Sequence, residues 1–327
     1  MKKSLLSVSI LASLCSFSSF AELSDEAGFG GEISFNTGVF SQTSNLNTDN
    51  EDVLTDRNSK GESSNEFMVL PLGTVSYTFG QDLNHQVYFG TAREDIAVGD
   101  FALELGYKHQ FDSGMIVDAA FLPTIMANET WEDPFLTGSK REVTDETGNA
   151  YRLQLIDIAG SDFSLDMAYA TIDVDNETSG SQFSQKDQEA LQRNGSLVFL
   201  KGEYKYMLDR SSGLIPSLSY TIRSADGDAM AYNAIGADLT YFKILDKHQF
   251  ALTAGYTNRS YDGSNPVFDK TRNDNEVSLF AAYEYNNLMG WEDVSFISFA
   301  GYGSSSSNIE FYNESEYLMS IGVNYKF

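Results

Sequence analysis

Apolar and polar residues alternate along most of this chain, most strictly at its end. Every second residue from Met319 to Phe327 is apolar, and Ser320, Asn324 and Lys326 lie between them. A repeat of two predicts a β-strand with one apolar and one polar face. About fourteen segments of the sequence follow this repeat. They cover residues 29–39, 67–79, 87–89, 101–107, 115–121, 151–155, 163–169, 198–206, 218–222, 235–241, 250–256, 277–285, 294–296 and 319–327.

The connections between these segments alternate between long and short. The long ones fall at about 42–64, 93–99, 127–150, 174–195, 225–229, 259–274 and 303–310. The short ones fall near 80–84, 112–114, 159–162, 209–213, 243–247 and 286–292. Membrane barrels have short periplasmic turns and longer extracellular loops. The pattern therefore predicts an all-β protein, a transmembrane antiparallel up-and-down β-barrel of about 14 strands with both termini periplasmic. Twelve or sixteen strands fit if one hairpin has been split or merged, and a soluble β-sandwich is the alternative fold.

Prolines and aromatic residues fit this assignment of strands. Proline has no N–H to donate to a sheet, so we expect every proline at a strand end or in a loop and none in the middle of a strand. The prolines are Pro71, Pro123 and Pro216 near predicted strand ends and Pro134 and Pro266 in predicted loops. Aromatic residues collect near strand ends, as in the interfacial girdles of membrane barrels. They are Phe79, Tyr206, Tyr241, Tyr285 and Tyr325 on the turn side and Tyr151, Tyr169, Tyr220 and Tyr256 on the loop side.

The start of the chain has the pattern of a secretory signal. Two lysines precede a short apolar run over 4–14, and Ser19-Phe20-Ala21 has small residues at the first and third positions before a cut. We expect a signal peptide at 1–21 and the outer-membrane barrel at 22–327. A lipoprotein signal is the alternative because Cys15 follows the apolar run, although Leu14 stands where such signals have a small residue.

The chain is strongly acidic, with 47 Asp and Glu against 21 Lys and Arg and a formal net charge of −26. This balance argues against nucleic acid as a partner. It favours attraction of cations to the presumed loops. Cys15 is the only cysteine, so the expected mature chain has no disulfide or thiolate chemistry.

The sequence offers little for catalysis or metal binding. A barrel hydrolase or protease needs a histidine base at the outer rim. His85, His109 and His248 all fall near predicted periplasmic strand ends, so we expect no enzyme. Acidic clusters in the loops suit calcium, but none has the twelve-residue ligand loop with its glycine and closing glutamate, so plain solvated loops are the favoured interpretation and calcium binding is the alternative. We expect no metal and no cofactor. The clusters are Asp49/Glu51/Asp52, Glu129/Glu132/Asp133, Asp173/Asp175/Glu177 and Asp226/Asp228.

If the aromatic positions face lipid, their polar neighbours line the lumen. The expected acids are Glu32, Glu104, Asp118, Asp166, Asp238, Glu276 and Glu284. The expected bases are Lys108, Arg152, Lys201, Lys205, Arg223 and Lys326. Acids early in the chain and bases on adjacent later strands predict a wall divided by charge sign, which would order permeating ions. The alternative is that these charges pair and fill a closed lumen.

The expected width of the barrel leaves room for a pore. Fourteen strands give a backbone radius of roughly 14 Å, which side chains alone would not fill. A pore then stays open unless a loop plugs it. The loop at 127–150, with Trp131, Pro134 and Phe135, is the candidate to fold inward, and the alternative is that it stands free above the membrane.

Two segments carry a resemblance to known proteins. Ser320, Gly322, Tyr325 and Phe327 resemble the C-terminal assembly signal of bacterial outer-membrane barrels. The whole expected mature chain resembles a porin-like barrel. The opening segment 28–36 and the last strand resemble a family of outer-membrane proteins of unknown function from gammaproteobacteria. The resemblance implies an outer-membrane location with lipid bilayer, lipopolysaccharide and the barrel assembly machinery as partners, and it implies no substrate.

Two functions follow from these expectations. The first is a channel for passive diffusion of small hydrophilic solutes with a mild preference for cations. The second is a plugged barrel that acts as a surface receptor, adhesin or structural protein through its acidic loops.

Overall fold

A computed structural model describes residues 23–24, 26–90, 103–123 and 128–327. The expected signal peptide at 1–21 lies outside the described residues. The strands are β1 Gly28–Thr43, β2 Ser63–Phe79, β3 His85–Gly90, β4 Glu104–Gln110, β5 Ile116–Pro123, β6 Asn128–Trp131, β7 Val143–Thr147, β8 Asn149–Ile156, β9 Phe163–Val174, β10 Gly195–Tyr204, β11 Tyr206–Asp209, β12 Ser212–Ala225, β13 Tyr232–Leu245, β14 His248–Asn265, β15 Lys270–Tyr285, β16 Val294–Ser307 and β17 Glu314–Lys326. One short helix, α1, covers Gln185–Ala190. Within the described ranges, no helix has both the length and the apolar character that crossing a membrane requires.

The strands form one closed antiparallel barrel. Each wall strand pairs with the next along the chain, and β1 pairs with both β2 and β17, so the described strands close into a ring. Of the 17 strands, β6 and β7 form a hairpin beyond the wall, and β10 and β11 are two parts of one wall strand. Fourteen strands therefore make the wall, which confirms the predicted fold.

The two faces of the wall differ as the alternation predicts. Phe29 is 79% exposed and Leu218 is 68% exposed on the outside, whereas Asn36 and Asn324 on the inside are fully buried. Large apolar side chains occupy the outer face of all the long strands. An apolar outer band around a closed sheet satisfies both requirements of a bilayer, since every backbone group is paired and the lipid-facing surface is greasy. The barrel is a transmembrane barrel.

Both described ends of the chain lie at the end of the barrel with short turns. β1 begins opposite the end of β2, and Phe327 exchanges backbone hydrogen bonds with Gly31 at 2.8 and 3.0 Å. At the opposite end, the segments between successive wall strands are named L1 to L7 in chain order, and residues 91–102 of L2 and 124–127 of L3 lie outside the described residues. These segments are 44–62, 91–103, 124–148, 175–194, 226–231, 266–269 and 308–313. The alternation of long and short connections holds for L1, L3 and L4 but not for the last part of the chain, where L5, L6 and L7 have six, four and six residues and the turn between β15 and β16 has eight. The predicted long loop at 259–274 is reduced to 266–269 because β14 and β15 continue into it, and the predicted loop at 93–99 lies outside the described residues.

The expectation that no proline lies in mid-strand is wrong for Pro71 and Pro216. Pro71 pairs with Phe35 in the middle of β2, and Pro216 lies inside β12. Each occupies a place where its strand has a described ladder partner on one side only. β2 pairs with β3 over 74–79 alone, and Pro216 faces the break between β10 and β11. At Pro216, which faces this break, the missing N–H costs no ladder bond.

An apolar cluster covers part of the inner wall. Phe280 is only 3% exposed, although its neighbour Leu279 faces outward. It packs inside the barrel with side chains of β2, β14, β15 and β16. Leu318 of β17 is partly buried and packs against this cluster. The buried members are Leu72, Ala251, Phe280, Ala282, Ile297 and Phe299. One side of the lumen is therefore dry, which the expectation of a polar inner wall did not include.

Candidate functional site: the outer chamber and its roof

L3 crosses the outer mouth of the barrel. Its hairpin, β6 and β7, continues the β5–β8 hairpin outward, and its tip residue Phe135 is 1% exposed. The Phe135 ring lies 5.4 Å from Phe311 and 6.1 Å from Phe268. These rings belong to L7 and L6, which lie across the ring of strands from L3. L3 therefore does not stand free above the membrane.

The loops share an apolar roof over the mouth. Its members come from L1, L3, L4, L5 and L7, with Val267 and Phe268 of L6 packed against them. The buried residues are Leu54, Phe135, Leu191, Ala229, Met230, Ile309, Phe311 and Tyr312. Burial of each large apolar side chain stabilises such a cluster by about 1.5–3 kcal/mol. The roof is thus a folded part of the molecule rather than a set of independent loops.

Asp133 fastens L3 to L4. Its carboxylate is 4% exposed and accepts hydrogen bonds from the backbone N–H groups of Gly180 at 3.0 Å and Ser181 at 2.8 Å. It also accepts from the Ser181 hydroxyl at 2.7 Å and from the N–H of Phe135 at 2.9 Å. Four donors satisfy a buried carboxylate fully, so its charge holds the two loops together.

Arg141 fastens L3 to L1. Its guanidinium lies over the Trp131 ring at 4.0 Å and donates to the carbonyl oxygens of Asn45 at 2.8 Å and Glu51 at 2.7 Å. Burial lowers the pKa of Arg141 to about 10, so it remains a cation at neutral pH. A buried cation without these acceptors would be costly, which makes the contact between L1 and L3 specific.

A chamber of about 270 Å³ lies inside the barrel beneath L3. Its walls come from the outer ends of β1, β12, β13, β14, β15 and β17 and from L1, L3, L4, L5 and L7. The charged residues that line it are Glu129, Glu146, Arg193, Arg223, Arg259, Arg272 and Glu314. Polar and aromatic residues, including Gln42, Thr48, Tyr232, Tyr261 and Tyr312, complete the lining.

Arginines and tyrosines alternate along the β13–β15 side of the chamber. Arg259 lies over the Tyr232 ring at 5.0 Å, and Arg272 lies over the rings of Tyr261 at 4.6 Å and Tyr312 at 3.5 Å. These two guanidinium groups also meet carboxylates. Asp274 lies 3.6 Å from Arg259 and 2.8 Å from Arg272. Their charges are therefore largely compensated within the wall.

Four residues that line the chamber, namely Arg223, Glu129, Glu146 and Glu314, have no ion-pair partner among the described residues, although the Ser44 hydroxyl donates to Glu314 at 2.7 Å. Arg223 donates to the carbonyl oxygen of Arg193 at 2.6 Å, and no carboxylate of the described chain lies within ion-pair distance of it. Arg193 itself pairs with Glu177 at 2.8 Å. On L3, the carboxylates of Glu129 and Glu146 likewise have no cation partner among the described residues. One chamber thus presents a positive group on β12 and negative groups on L3.

Five of the sequence-predicted lumen charges form one cluster on the side opposite the apolar cluster. Arg152 lies 3.4 Å from Glu104 and 2.7 Å from Asp166, and Lys108 lies 3.5 Å from Asp118. The hydroxyl of Tyr88 donates to Asp118 at 3.0 Å. The acids that were expected to form a bare acidic wall therefore lie among bases. The lumen wall is divided by polarity, with charged and apolar sides, instead of by charge sign.

The other predicted lumen charges also have neighbours. Three of the bases pair with acids, and the remaining acids accept from uncharged or cationic groups. The pairs are Lys201–Glu203 at 2.8 Å, Lys205–Asp157 at 3.7 Å, Lys326–Glu284 at 3.7 Å, Arg259–Glu276 at 3.3 Å, Asn324–Glu32 at 3.3 Å and Ser217–Asp238 at 3.2 Å. Lys205 lies at the break between β10 and β11 near the short-turn end. Of the predicted bases, only Arg223 lines the chamber.

The histidines lie far from the chamber. His85 and His109 stack at 4.6 Å between ring centres at the short-turn end, and His248 begins β14 at the same end. Among the described residues, no group of three histidines and carboxylates converges in a way that would hold a metal ion.

Sequence reasoning missed Arg193, Arg259 and Arg272. Arg259 and Arg272 fell within a predicted loop at 259–274, whereas β14 and β15 extend through 265 and from 270. The alternation Thr257, Arg259, Tyr261 continues the inward positions of β14 and was the available signal. Arg193 lies in L4, and no pattern in the sequence indicated that L4 would fold over the lumen.

Comparisons with known proteins give a family and several similar structures. A family model described as "Protein of unknown function (DUF2860)" matches residues 28–326. No curated protein matches the chain significantly. The outer membrane channel DcaP of Acinetobacter baumannii is 7% identical, with a TM-score of 0.47 over 94% of this chain and 100% of that one. The CymD monoaromatic hydrocarbon channel is 9% identical, with a TM-score of 0.47 over 92% and 89% of the two chains. An anion-selective porin from Comamonas acidovorans is 8% identical, with a TM-score of 0.42 over 92% and 100%.

Proposed function

The chain belongs to the DUF2860 family of proteins of unknown function, and we propose that it is a non-enzymatic channel of the bacterial outer membrane. In this proposal it passes small hydrophilic solutes by passive diffusion. A signal peptide at 1–21 directs export, the barrel assembly machinery inserts the chain, and lipopolysaccharide surrounds its outer half.

The chamber beneath L3 is the observation that carries the proposal. A barrel that served only as a scaffold would gain nothing from uncompensated charges in its interior, because buried charges are costly without partners. Here Arg223, Glu129 and Glu146 line a cavity between the loops and the lumen. Below it, the cluster around Arg152 keeps the β3–β9 side of the lumen polar. Such a path suits water and small polar solutes.

Net charge supports a mild preference for cations. The chain has 47 acidic and 21 basic residues, and the acidic clusters lie in the outer loops where ions enter. A negative surface raises the local concentration of cations within about 10 Å at 0.1 M salt. The arginines of the chamber are mostly paired, so they weaken this preference without reversing it.

A second function is favoured by the roof. Apolar residues from several loops bury one another across the mouth, and this arrangement also suits a plugged barrel that presents its loops to a partner. In that case L3 and L4 would form the recognition surface. The two functions make opposite predictions about ion flow.

Planar-bilayer recording tests the proposal. Protein whose folding is verified by a shift in gel mobility on boiling should give discrete current steps in KCl. A salt gradient should give a reversal potential of the sign for cation preference. Folded protein that gives no current steps would overturn the channel and favour the plugged barrel, and a reversal potential of the anion sign would overturn the selectivity alone.

A further inference from the structure

We propose that the chamber beneath L3 binds small zwitterionic solutes, such as an amino acid or a short peptide, with the carboxylate at Arg223 and the ammonium group at Glu129 and Glu146. This inference deepens the proposed channel function and rests on it, because the solute would bind on its way through the barrel.

Arg223 is the group that receives the carboxylate. Four arginines line the chamber, and three of them already lie beside acids, namely Arg193 at Glu177 and both Arg259 and Arg272 at Asp274. Among the described residues, Arg223 has a backbone carbonyl as its partner and no carboxylate. A guanidinium has five N–H donors, so most of those on Arg223 remain for a ligand. A carboxylate matches their planar geometry with two hydrogen bonds.

The ammonium group is received by L3. Glu129 lies on β6 and Glu146 on β7, and both line the chamber, although their register, Glu129 with Asp145 and Glu146 with Asn128, places them on opposite faces of this hairpin. Neither carboxylate has an ion partner within the described ranges. Each carboxylate is therefore available to attract an ammonium group that enters the chamber.

The arrangement favours a zwitterion over a simple ion. An anion would be attracted by Arg223 and repelled by Glu129 and Glu146. A cation would be attracted by the two glutamates and repelled by Arg223. A solute with both charges satisfies both sides at once. The volume of about 270 Å³ lies just under the roughly 300–1,000 Å³ of clefts for drug-sized ligands, so the solute is small.

Three matched probes test the inference. Diglycine is a zwitterion at pH 7, N-acetyldiglycine is an anion and diglycine amide is a cation of nearly the same size. Calorimetry on the folded full-length barrel in detergent micelles measures binding, and block of single-channel KCl current measures it on the conduction path. We expect diglycine to bind at least about tenfold more tightly than either of the other two, since each has lost one charged contact.

Variants assign the two ends of the site. Arg223→Gln should weaken diglycine and N-acetyldiglycine about tenfold and leave diglycine amide unchanged, whereas Arg223→Lys should retain part of the affinity. Glu129→Gln combined with Glu146→Gln should weaken diglycine and its amide instead. Arg210→Gln is the matched control, because Arg210 is an exposed arginine at the short-turn end and should change nothing.

The outcomes separate this inference from the channel itself. Equal binding of the three probes, or an Arg223→Gln variant that weakens all three alike, would overturn the inference even if KCl current is normal. Preferential binding of diglycine in micelles without any KCl current would support the site and overturn passive diffusion. The gel-mobility shift on boiling shows for each variant that the barrel has folded.

Discussion

At the scale of single residues, pairing decides which charges a solute can meet. The repeat of two predicted that Asp118, Arg152 and Arg223 face inward, because it fixes the face of every strand residue. It could not predict their partners, since Lys108 and Asp118 meet only when β4 and β5 take their actual register. Arg223 differs from the other predicted bases because it lines the chamber and has a backbone carbonyl, and no described carboxylate, as its partner. This difference makes it the best candidate for contact with a solute.

Asp133 is the residue whose removal should loosen the roof most specifically. Asp133→Ala leaves the N–H groups of Gly180 and Ser181 without their buried acceptor and should cost the docking of L3 on L4 about 3 kcal/mol. Limited proteolysis of the folded barrel should then cut within L3 or L4 much faster than in the wild type. Glu132→Ala is the control, because this neighbouring acid accepts no side-chain hydrogen bond from the described residues. Equal cleavage of both variants and the wild type would show that Asp133 does not fasten the loops.

At the scale of elements, L3 sets the shape of the outer mouth. Its length and its apolar residues were visible in the sequence, but its destination was not. Phe135 packs against Phe268 and Phe311, which are far along the chain and reach it only because the barrel closes. Contacts of this kind cannot be inferred from local periodicity, which is why inward and free positions of L3 were equally compatible with the pattern.

Shortening L3 should widen the mouth. Replacement of residues 132–141 by a short Gly-Ser linker removes Phe135 and Arg141 and with them the contacts to L1, L6 and L7. We expect the single-channel conductance in KCl to rise severalfold, since L3 no longer crosses the outer mouth. An equivalent replacement in the turn at 287–292, at the opposite end of the barrel, should leave the conductance unchanged. An unchanged conductance in the L3 variant would mean that L3 does not restrict ion flow.

The closing strand β17 depends on a close approach at Gly322. Gly322 pairs with Asn36 of β1, and a Cβ atom there would lie 2.6 Å from the carbonyl oxygen of Phe35. Gly322→Ala should therefore destabilise barrel closure by about 1–3 kcal/mol. The close approach explains why a glycine occurs at this position of the predicted assembly signal, which also includes Ser320, Tyr325 and Phe327. Recognition of this signal by the assembly machinery stays a prediction.

The temperature at which folded barrels lose their compact gel mobility measures this effect. It should be lower for Gly322→Ala than for Gly30→Ala, because a Cβ atom at Gly30 meets nothing closer than 3.5 Å. If the two variants and the wild type melt together, the contact at Gly322 does not limit closure.

At the scale of the whole molecule, the fold was predictable and the character of the lumen was not. Strand number and the side of the termini follow from repeats and loop lengths, which bilayer physics dictates. The division of the lumen by polarity appears only where the repeat of two fails. Three strands have consecutive apolar residues, so that both faces are apolar there. The segments are Val69-Leu70 in β2, Leu279-Phe280 in β15 and Phe296-Ile297 in β16, and each lies where the apolar cluster covers the inner wall. These pairs of apolar residues were the available signal for an apolar inner wall, and an interpretation based on strict alternation ignores them.

The central claim is that ions pass through the chamber beneath L3. The most direct test is thiol modification of Thr48→Cys during single-channel recording, because Thr48 lines the chamber and the chain carries no other cysteine after residue 15. Ala254→Cys, on the lipid-facing side of β14, is the control. A charged thiol reagent should reduce the current of Thr48→Cys sharply and leave Ala254→Cys unaffected. Currents that stay the same after complete modification at Thr48 would place the chamber outside the conduction path and contradict the account.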